Sequence, residues 1–173
     1  MARAAKLDLR TFQQELAARL ASKTAAQVES SRLGMACMDE RWLIRLSDAG
    51  EVITMPPIVA VPLTQPWYLG VANIRGNLFS VIDFAGFLAR TVAAGGAQSR
   101  LVLFGSRAGD LNAGIVVQRV LGLRNIAELA PASASTEAPA WYAQRWMDRD
   151  GNPWQEIDLA KLAVDPAFLQ VGI

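Results

Sequence analysis

Two short apolar runs broken by a single Gly-Asn pair make the clearest hydrophobic pattern in the chain, Gly70-Val71-Ala72-Asn73-Ile74-Arg75-Gly76-Asn77-Leu78-Phe79-Ser80-Val81-Ile82-Asp83-Phe84. Both runs are rich in Val, Ile and Phe and have the length of strands. Glycine at the first loop position suits a two-residue type II′ turn, so the pattern predicts a β-hairpin with Gly76 and Asn77 at its tip. In that register Arg75 pairs with Leu78, Ile74 with Phe79, Asn73 with Ser80 and Ala72 with Val81. Alternation then places Ile74, Ala72, Phe79 and Val81 on an apolar face, and Arg75, Asn73, Ser80 and Leu78 on the other. A cation and two small polar groups beside an exposed leucine fit a protein-binding patch. The same residues also fit an ordinary solvated sheet face.

Elsewhere the pattern is mostly that of strands. The exception is the N-terminus: Leu9, Phe12, Leu16 and Leu20 recur at three- and four-residue spacing and predict a helix over 7–28. Its stripe is expected to dock on the chain's own domain, the alternative being an arm that binds a partner. A second hairpin is predicted over 33–46, turning at Asp39-Glu40, followed by a short strand or helical turn over 51–55. Pro56, Pro57, Pro62 and Pro66 exclude a central strand, so 56–66 reads as an edge or extended crossing segment. Residues 83–90 read as a helical turn, 91–99 as a loop, 101–106 as a strand, 107–110 as a turn and 113–123 as one long apolar strand. A flexible loop over 131–139 precedes a third hairpin that turns at Asp148-Arg149-Asp150-Gly151-Asn152. Asp165-Pro166 opens a short helical piece.

A weak internal repeat links Phe79–Phe87 to Trp154–Leu162, each copy an aromatic-led strand ending in Ile-Asp and an apolar turn. It predicts two similar β-subdomains, each a small closed barrel, because closure removes strand edges. Asp83 and Asp158 hold equivalent places, where they are expected to cap the turn that follows. Trp42, Trp67 and Trp154 fall in strand-like runs and are expected in the core.

Composition narrows the function. With 173 residues the chain is one domain or two small subdomains, and 52% apolar residues support a sizeable core. A net charge of +1 gives no electrostatic reason to expect nucleic acid or an anionic membrane surface. Histidine is absent, which excludes Ser-His-Asp and Cys-His catalysis, histidine metal ligation and a histidine phosphoacceptor. The single cysteine, Cys37, is read as a small core residue in a reducing compartment. There is no phosphate-binding loop, no signal peptide and no run of about 20 apolar residues that would span a membrane. No cofactor and no metal are expected. The chain reads as a binding module.

The organising hairpin resembles the signature of the CheW family, the adaptor proteins of bacterial chemosensory arrays. Pro62 and Pro66 precede Gly70-Val71-Ala72-Asn73-Ile74-Arg75-Gly76, and Ser80-Val81-Ile82-Asp83-Phe84 follows. Ala49-Gly50-Glu51-Val52, Gly114–Val120 and Ile157-Asp158-Leu159 resemble further family segments. Three positions depart from the pattern: Ser80 stands for a proline, Gln118 for an aspartate and Ala49 for a larger apolar residue. The resemblance implies a mainly β fold of two SH3-like five-stranded barrels, as residues 33–163 between an N-terminal helical extension (1–32) and a C-terminal tail (164–173). It implies a cytoplasmic, non-enzymatic scaffold that couples a chemoreceptor tip to the regulatory domain of a CheA-type histidine kinase. The wording of Pro66–Gly76 and the N-terminal extension look most like the branch that serves type IV pili and twitching motility. Carried over by position, Arg75, Asn73, Glu51, Val52 and Ser80 form the receptor and kinase interface, and Arg75 could instead bond backbone carbonyls and hold the two barrels together. The readings of a different class are a regulatory domain that couples to its own kinase or response-regulator partner, and a small-ligand-binding or enzymatic β-barrel.

Overall fold

A computed structural model describes residues 9–88, 96–133 and 138–173. It opens with α1 (Leu9–Ser30), which passes without a linker into β1 (Ser31–Cys37). From Gln13 to Gln27 the helix is exposed, so Leu16 and Leu20 of the expected stripe do not dock on the chain's own domain, while the side chains of Leu9 and Phe12 lie outside what the structure describes. The reason is the face presented. Ala21, Thr24, Ala25 and Val28 turn toward the body, where they line a cleft with Ser47, Ser106 and Arg107. Leu16 and Leu20 lie on another side of the wheel.

Eleven strands among the described residues form two sheets. The first contains β1, β2 (Glu40–Arg45), β8 (Arg119–Asn125), β9 (Ala130–Ala132), β10 (Tyr142–Met147) and β11 (Pro153–Ile157), in the order β8-β1-β2-β11-β10-β9. The second contains β3 (Ala49–Thr54), β4 (Tyr68–Ile74), β5 (Asn77–Asp83), β6 (Arg100–Phe104) and β7 (Ala113–Val117), in the order β3-β6-β7-β5-β4. The outer strands of the first sheet, β8 and β9, are successive in sequence. Laid flat they would lie about 24 Å apart, five spacings of roughly 4.8 Å, whereas the five residue steps between them reach at most about 18 Å. The sheet is therefore rolled. The expected five-plus-five arrangement is observed as six plus five, the additional strand being β9, which overlaps the start of the stretch read as a loop. Residues 89–95, the end of the expected helical turn and the start of the first expected loop, and 134–137, within the second, lie outside the described residues.

The expected long strand over 113–123 is two strands in different sheets. The chain bends at Gln118, whose N–H donates to the Ala36 carbonyl at 3.1 Å, and carries on as β8 in the other barrel. Nothing in the local apolar pattern marks that crossing. The repeat, by contrast, is structural. β5 runs parallel to β7 and β11 parallel to β2. Each leads into an aspartate that caps the next helix: Asp83, the last residue of β5, accepts from Ala85 N–H ahead of α2 (Phe84–Phe87), and Asp158, just after β11, from Lys161 N–H ahead of α3 (Leu159–Leu162). Asp165 does the same for α4 (Pro166–Leu169), after which the tail pairs with the proline segment through Gln65 N–H to Val171 O at 2.8 Å.

The main core lies between the sheets and draws on both, with Met35, Cys37, Trp42 and Ile44 from the first, Ile82, Val102 and Ile115 from the second, and Phe84 from α2. A second cluster, Ala72, Val81, Leu101, Leu103 and Val116, fills the inside of the second barrel. Trp42 and Trp154 are buried as expected, and Trp67 is half-buried against Phe87 at 5.3 Å. The inside of the first barrel is different: a buried Arg32–Glu156 ion pair at 2.7 Å occupies it, and the Trp146 indole N–H also donates to Glu156 at 2.7 Å.

Candidate functional site

The β4–β5 hairpin forms where the sequence places it, one residue out of the expected register. The pairs are Ile74–Asn77, Asn73–Leu78, Ala72–Phe79 and Val71–Ser80, so Arg75 and Gly76 make the turn. Both have positive φ, +53° and +87°, which is the type I′ geometry and not the expected type II′. Moving the turn by one residue shifts each pairing by two, and side-chain faces repeat every two. Ala72 and Val81 therefore still face the core, with Ile74 and Phe79 packed beside them. Asn73 and Leu78 still face outward, and Leu78 is 61% exposed.

Asn73 holds the turn through its Oδ1, which accepts from Gly76 N–H at 2.9 Å. A non-glycine residue held in the left-handed region costs of order 1 kcal/mol or more. The strain falls on Arg75, which projects from the tip with its side chain 76% exposed. Its guanidinium donates to Glu51 Oε1 at 2.7 Å. Glu51 belongs to β3, and β3 and β4 are the two outer strands of the second sheet. The ion pair thus links the β4–β5 turn to the opposite outer strand of that sheet. It joins two parts of one barrel, so the reading in which Arg75 holds the two barrels together is not what the structure shows.

Glu51 reaches Arg75 because β3 carries a bulge. Ala49 pairs with Phe104 and Val52 with Val102, which sets two residues, Gly50 and Glu51, opposite one. Such an insertion re-aims side chains. Gly50 suits that place, since a Cβ would crowd the Phe104 carbonyl oxygen at 3.0 Å. Gly70 has a related reason: its Cβ would come within 2.1 Å of Val59 O, because the proline segment bonds β4 through Val59 and Val71. Val52, next to Glu51, is 38% exposed.

Arg75, Asn73 and Glu51 are thus brought together, with Val52 beside them. Ser80 sits farther back on the hairpin and is half-buried, its Oγ 3.1 Å from the Tyr68 hydroxyl. Its backbone N–H donates to Asn112 O at 2.9 Å, a bond that a proline in this position could not make. Leu78, opposite Asn73, adds the apolar element of the surface; its exposure follows from the alternation that also placed Asn73 outward. No helix among the described residues is long and apolar enough to cross a membrane.

The model of the CheW-like domain family matches residues 33–167. The chain belongs to the CheW family. PilI of Pseudomonas aeruginosa is 27% identical over 165 residues, covering 90% of this chain and 89% of that protein. FrzA of Myxococcus xanthus is 32% identical over 104 residues, covering 59% of this chain and 64% of that protein. The crystal structure of the scaffolding protein TtCheW from Thermoanaerobacter tengcongensis aligns with a TM-score of 0.68 at 18% identity, over 83% of this chain and 99% of that one. The fold is that of CheW. This CheW-like chain is accordingly an adaptor of chemosensory signalling and not an enzyme.

Proposed function

We propose that the chain bridges a chemoreceptor tip and the regulatory domain of a CheA-type histidine kinase in the cytoplasm, in a pathway controlling type IV pili and twitching motility. In this reading residues 33–163 are the adaptor domain, and 1–32 and 164–173 are appended to it. The observation that carries the reading is the exposed Arg75–Glu51 pair on a strained turn. An ion pair this exposed contributes at most about 1 kcal/mol to stability. The fold thus pins an arginine in an unfavourable backbone conformation for little stabilising return, and presents it to solvent beside Asn73, Val52 and Leu78. A guanidinium whose only ion-pair partner among the described residues is a surface carboxylate can exchange that partner for one on another protein. Ser80 supports the surface from behind through Tyr68 and Asn112.

The test is binding of the purified chain to a receptor-tip fragment and to a kinase regulatory domain, each measured with the wild type and with Arg75→Glu. Saturable binding to both, weakened at least tenfold by the substitution with the circular dichroism spectrum unchanged, is the expected result. Binding to both that ignores the substitution keeps the adaptor and removes Arg75 from its interface. Binding to neither overturns the reading.

A further inference from the structure

The register of the first barrel puts an unusual set of side chains on one face. Arg32 pairs with Arg45 and with Arg124, Gly34 with Leu43 and with Gly122, and Ala36 with Arg41 and with Arg119. In parallel register, Leu43 sits beside Glu156, which places Trp154 level with Arg41 and Asp158 level with Arg45. Residues at each level share a face. One face of these strands therefore carries five arginines, Arg32 buried, Arg41 and Arg45 half-buried, Arg119 and Arg124 exposed, against two carboxylates, Glu156 and Asp158.

The two ends of the barrel resolve this imbalance differently. At one end the charges are matched: Arg32 lies 2.7 Å from Glu156, while Arg45 lies 3.7 Å from Asp158 and 3.8 Å from Asp48. At the other end a cavity of about 870 Å³ opens among Ala36, Arg41, Arg119, Arg124 and Trp154. Its floor is the Trp154 ring, 2% exposed, with the Arg124 and Arg41 guanidiniums 5.2 and 5.7 Å from the ring centre. Gly34 makes room for that ring, since a Cβ there would lie 3.1 Å from it. None of Arg41, Arg119 and Arg124 has an ion pair with a carboxylate among the described residues. Asp148, at the rim, uses both oxygens on Asp150, Asn152 and Trp154 within its own turn. Glu40 pairs with Cys37, so alternation points it to the opposite side of the sheet from Arg41. Asp39, Glu128 and Asp150 also line the rim and are exposed like Arg119 and Arg124, but none of them forms an ion pair with these arginines among the described residues.

We propose that this mouth binds a small phosphate-bearing ligand of nucleotide size. Guanidinium groups match phosphate oxygens in a bidentate fork. Stacking on a buried indole fixes two of them in advance, so little side-chain freedom is lost on binding. The volume is that of a small-molecule pocket. The site belongs to the first barrel, and the Arg75–Glu51 surface to the second, so the proposal stands apart from the adaptor interface.

The experiment uses the full chain, ¹⁵N-labelled, titrated with inorganic phosphate, pyrophosphate, AMP and ATP, and in parallel with a short polyglutamate peptide. Trp154 Nε1–H is assigned by its loss in Trp154→Phe and serves as the reporter. The expected result is saturable movement of that signal by the phosphate compounds, at least tenfold weaker in the pair Arg41→Gln with Arg124→Gln and unchanged in Arg75→Gln. Saturation by pyrophosphate as well as ATP assigns recognition to the phosphates, and saturation by ATP and AMP alone assigns it to the whole nucleotide; both support the site. Should the paired variant fail to fold, loss of wild-type binding as potassium chloride rises from 50 to 500 mM takes its place as the supporting result. No saturable shift with any phosphate compound, a shift indifferent to the paired substitution or to salt, or saturation by polyglutamate alone overturns the proposal.

Discussion

Arg75 occupies the turn position at which glycine, asparagine or aspartate is least strained. Arg75→Asn should accordingly leave the fold as stable or raise its stability by about 0.5–1 kcal/mol, while weakening partner binding as Arg75→Glu does. Urea denaturation and the binding assay together check this separation of stability from function. Gly70 is the opposite case. With Val59 O only 2.1 Å from where a Cβ would stand and φ at +132°, Gly70→Ala has no room on either count. It should cost roughly 2–4 kcal/mol, the range for a steric clash added to a disfavoured backbone. A fall in the urea midpoint with unchanged slope is the expected signature. Asn73→Ala leaves Gly76 N–H without its acceptor and should cost about 1 kcal/mol.

The β10–β11 turn shows how one side chain organises an element. Asp148 accepts from the backbone N–H groups of Asp150 and Asn152, from the Asn152 amide and from the Trp154 indole. These donors, led by the indole, favour the charged carboxylate and lower its pKa from 3.8 to about 2. A carboxylate whose pKa is depressed on folding contributes stability above its unfolded pKa and loses it as pH falls through the folded value. Stability from this turn should therefore be intact above about pH 4 and decline between about pH 4 and pH 2. Asp148→Asn should flatten that part of the stability curve, as measured by denaturation at a series of acid pH values.

For the whole molecule, the mount of α1 and the inside of the first barrel are one structure. Arg32 Nε donates to Glu156 while its Nη1 donates to the Glu29 carbonyl at the end of the helix. Glu29 also pairs with Arg107 at 2.8 Å. Arg32→Ala leaves Glu156 buried with its nearest cation removed and should cost about 3–5 kcal/mol, the range for breaking a buried ion pair. It should also speed amide exchange in the last turn of α1. Removal of residues 1–28 should by contrast leave the barrels folded, with a melting temperature within a few degrees of the full chain. The helix exposes most of its length and adds little buried apolar surface.

Features that depend on near neighbours were legible in the residues alone. Period-two alternation placed Ala72 and Val81 inward and Asn73 outward even with the turn misplaced, because a two-residue shift preserves every face. Aspartate before an apolar turn is a local signal, and Asp83, Asp158 and Asp165 all cap helices. The internal repeat and the Gly70–Gly76 motif carried the two-barrel, CheW-like architecture. Where one element meets a distant one was settled by the assembled fold. The break at Gln118 exists because two barrels compete for one apolar run, which a local pattern does not record. β9 is a strand because the rolled sheet offers β10 as its partner. The pairing of Glu51 with Arg75 depends on how the second sheet brings together residues 24 positions apart, and the arginine-rich mouth on a register joining β1, β2, β8 and β11. Long-range contacts of this kind are fixed by how the whole chain buries its apolar faces, and single residues carry no mark of them.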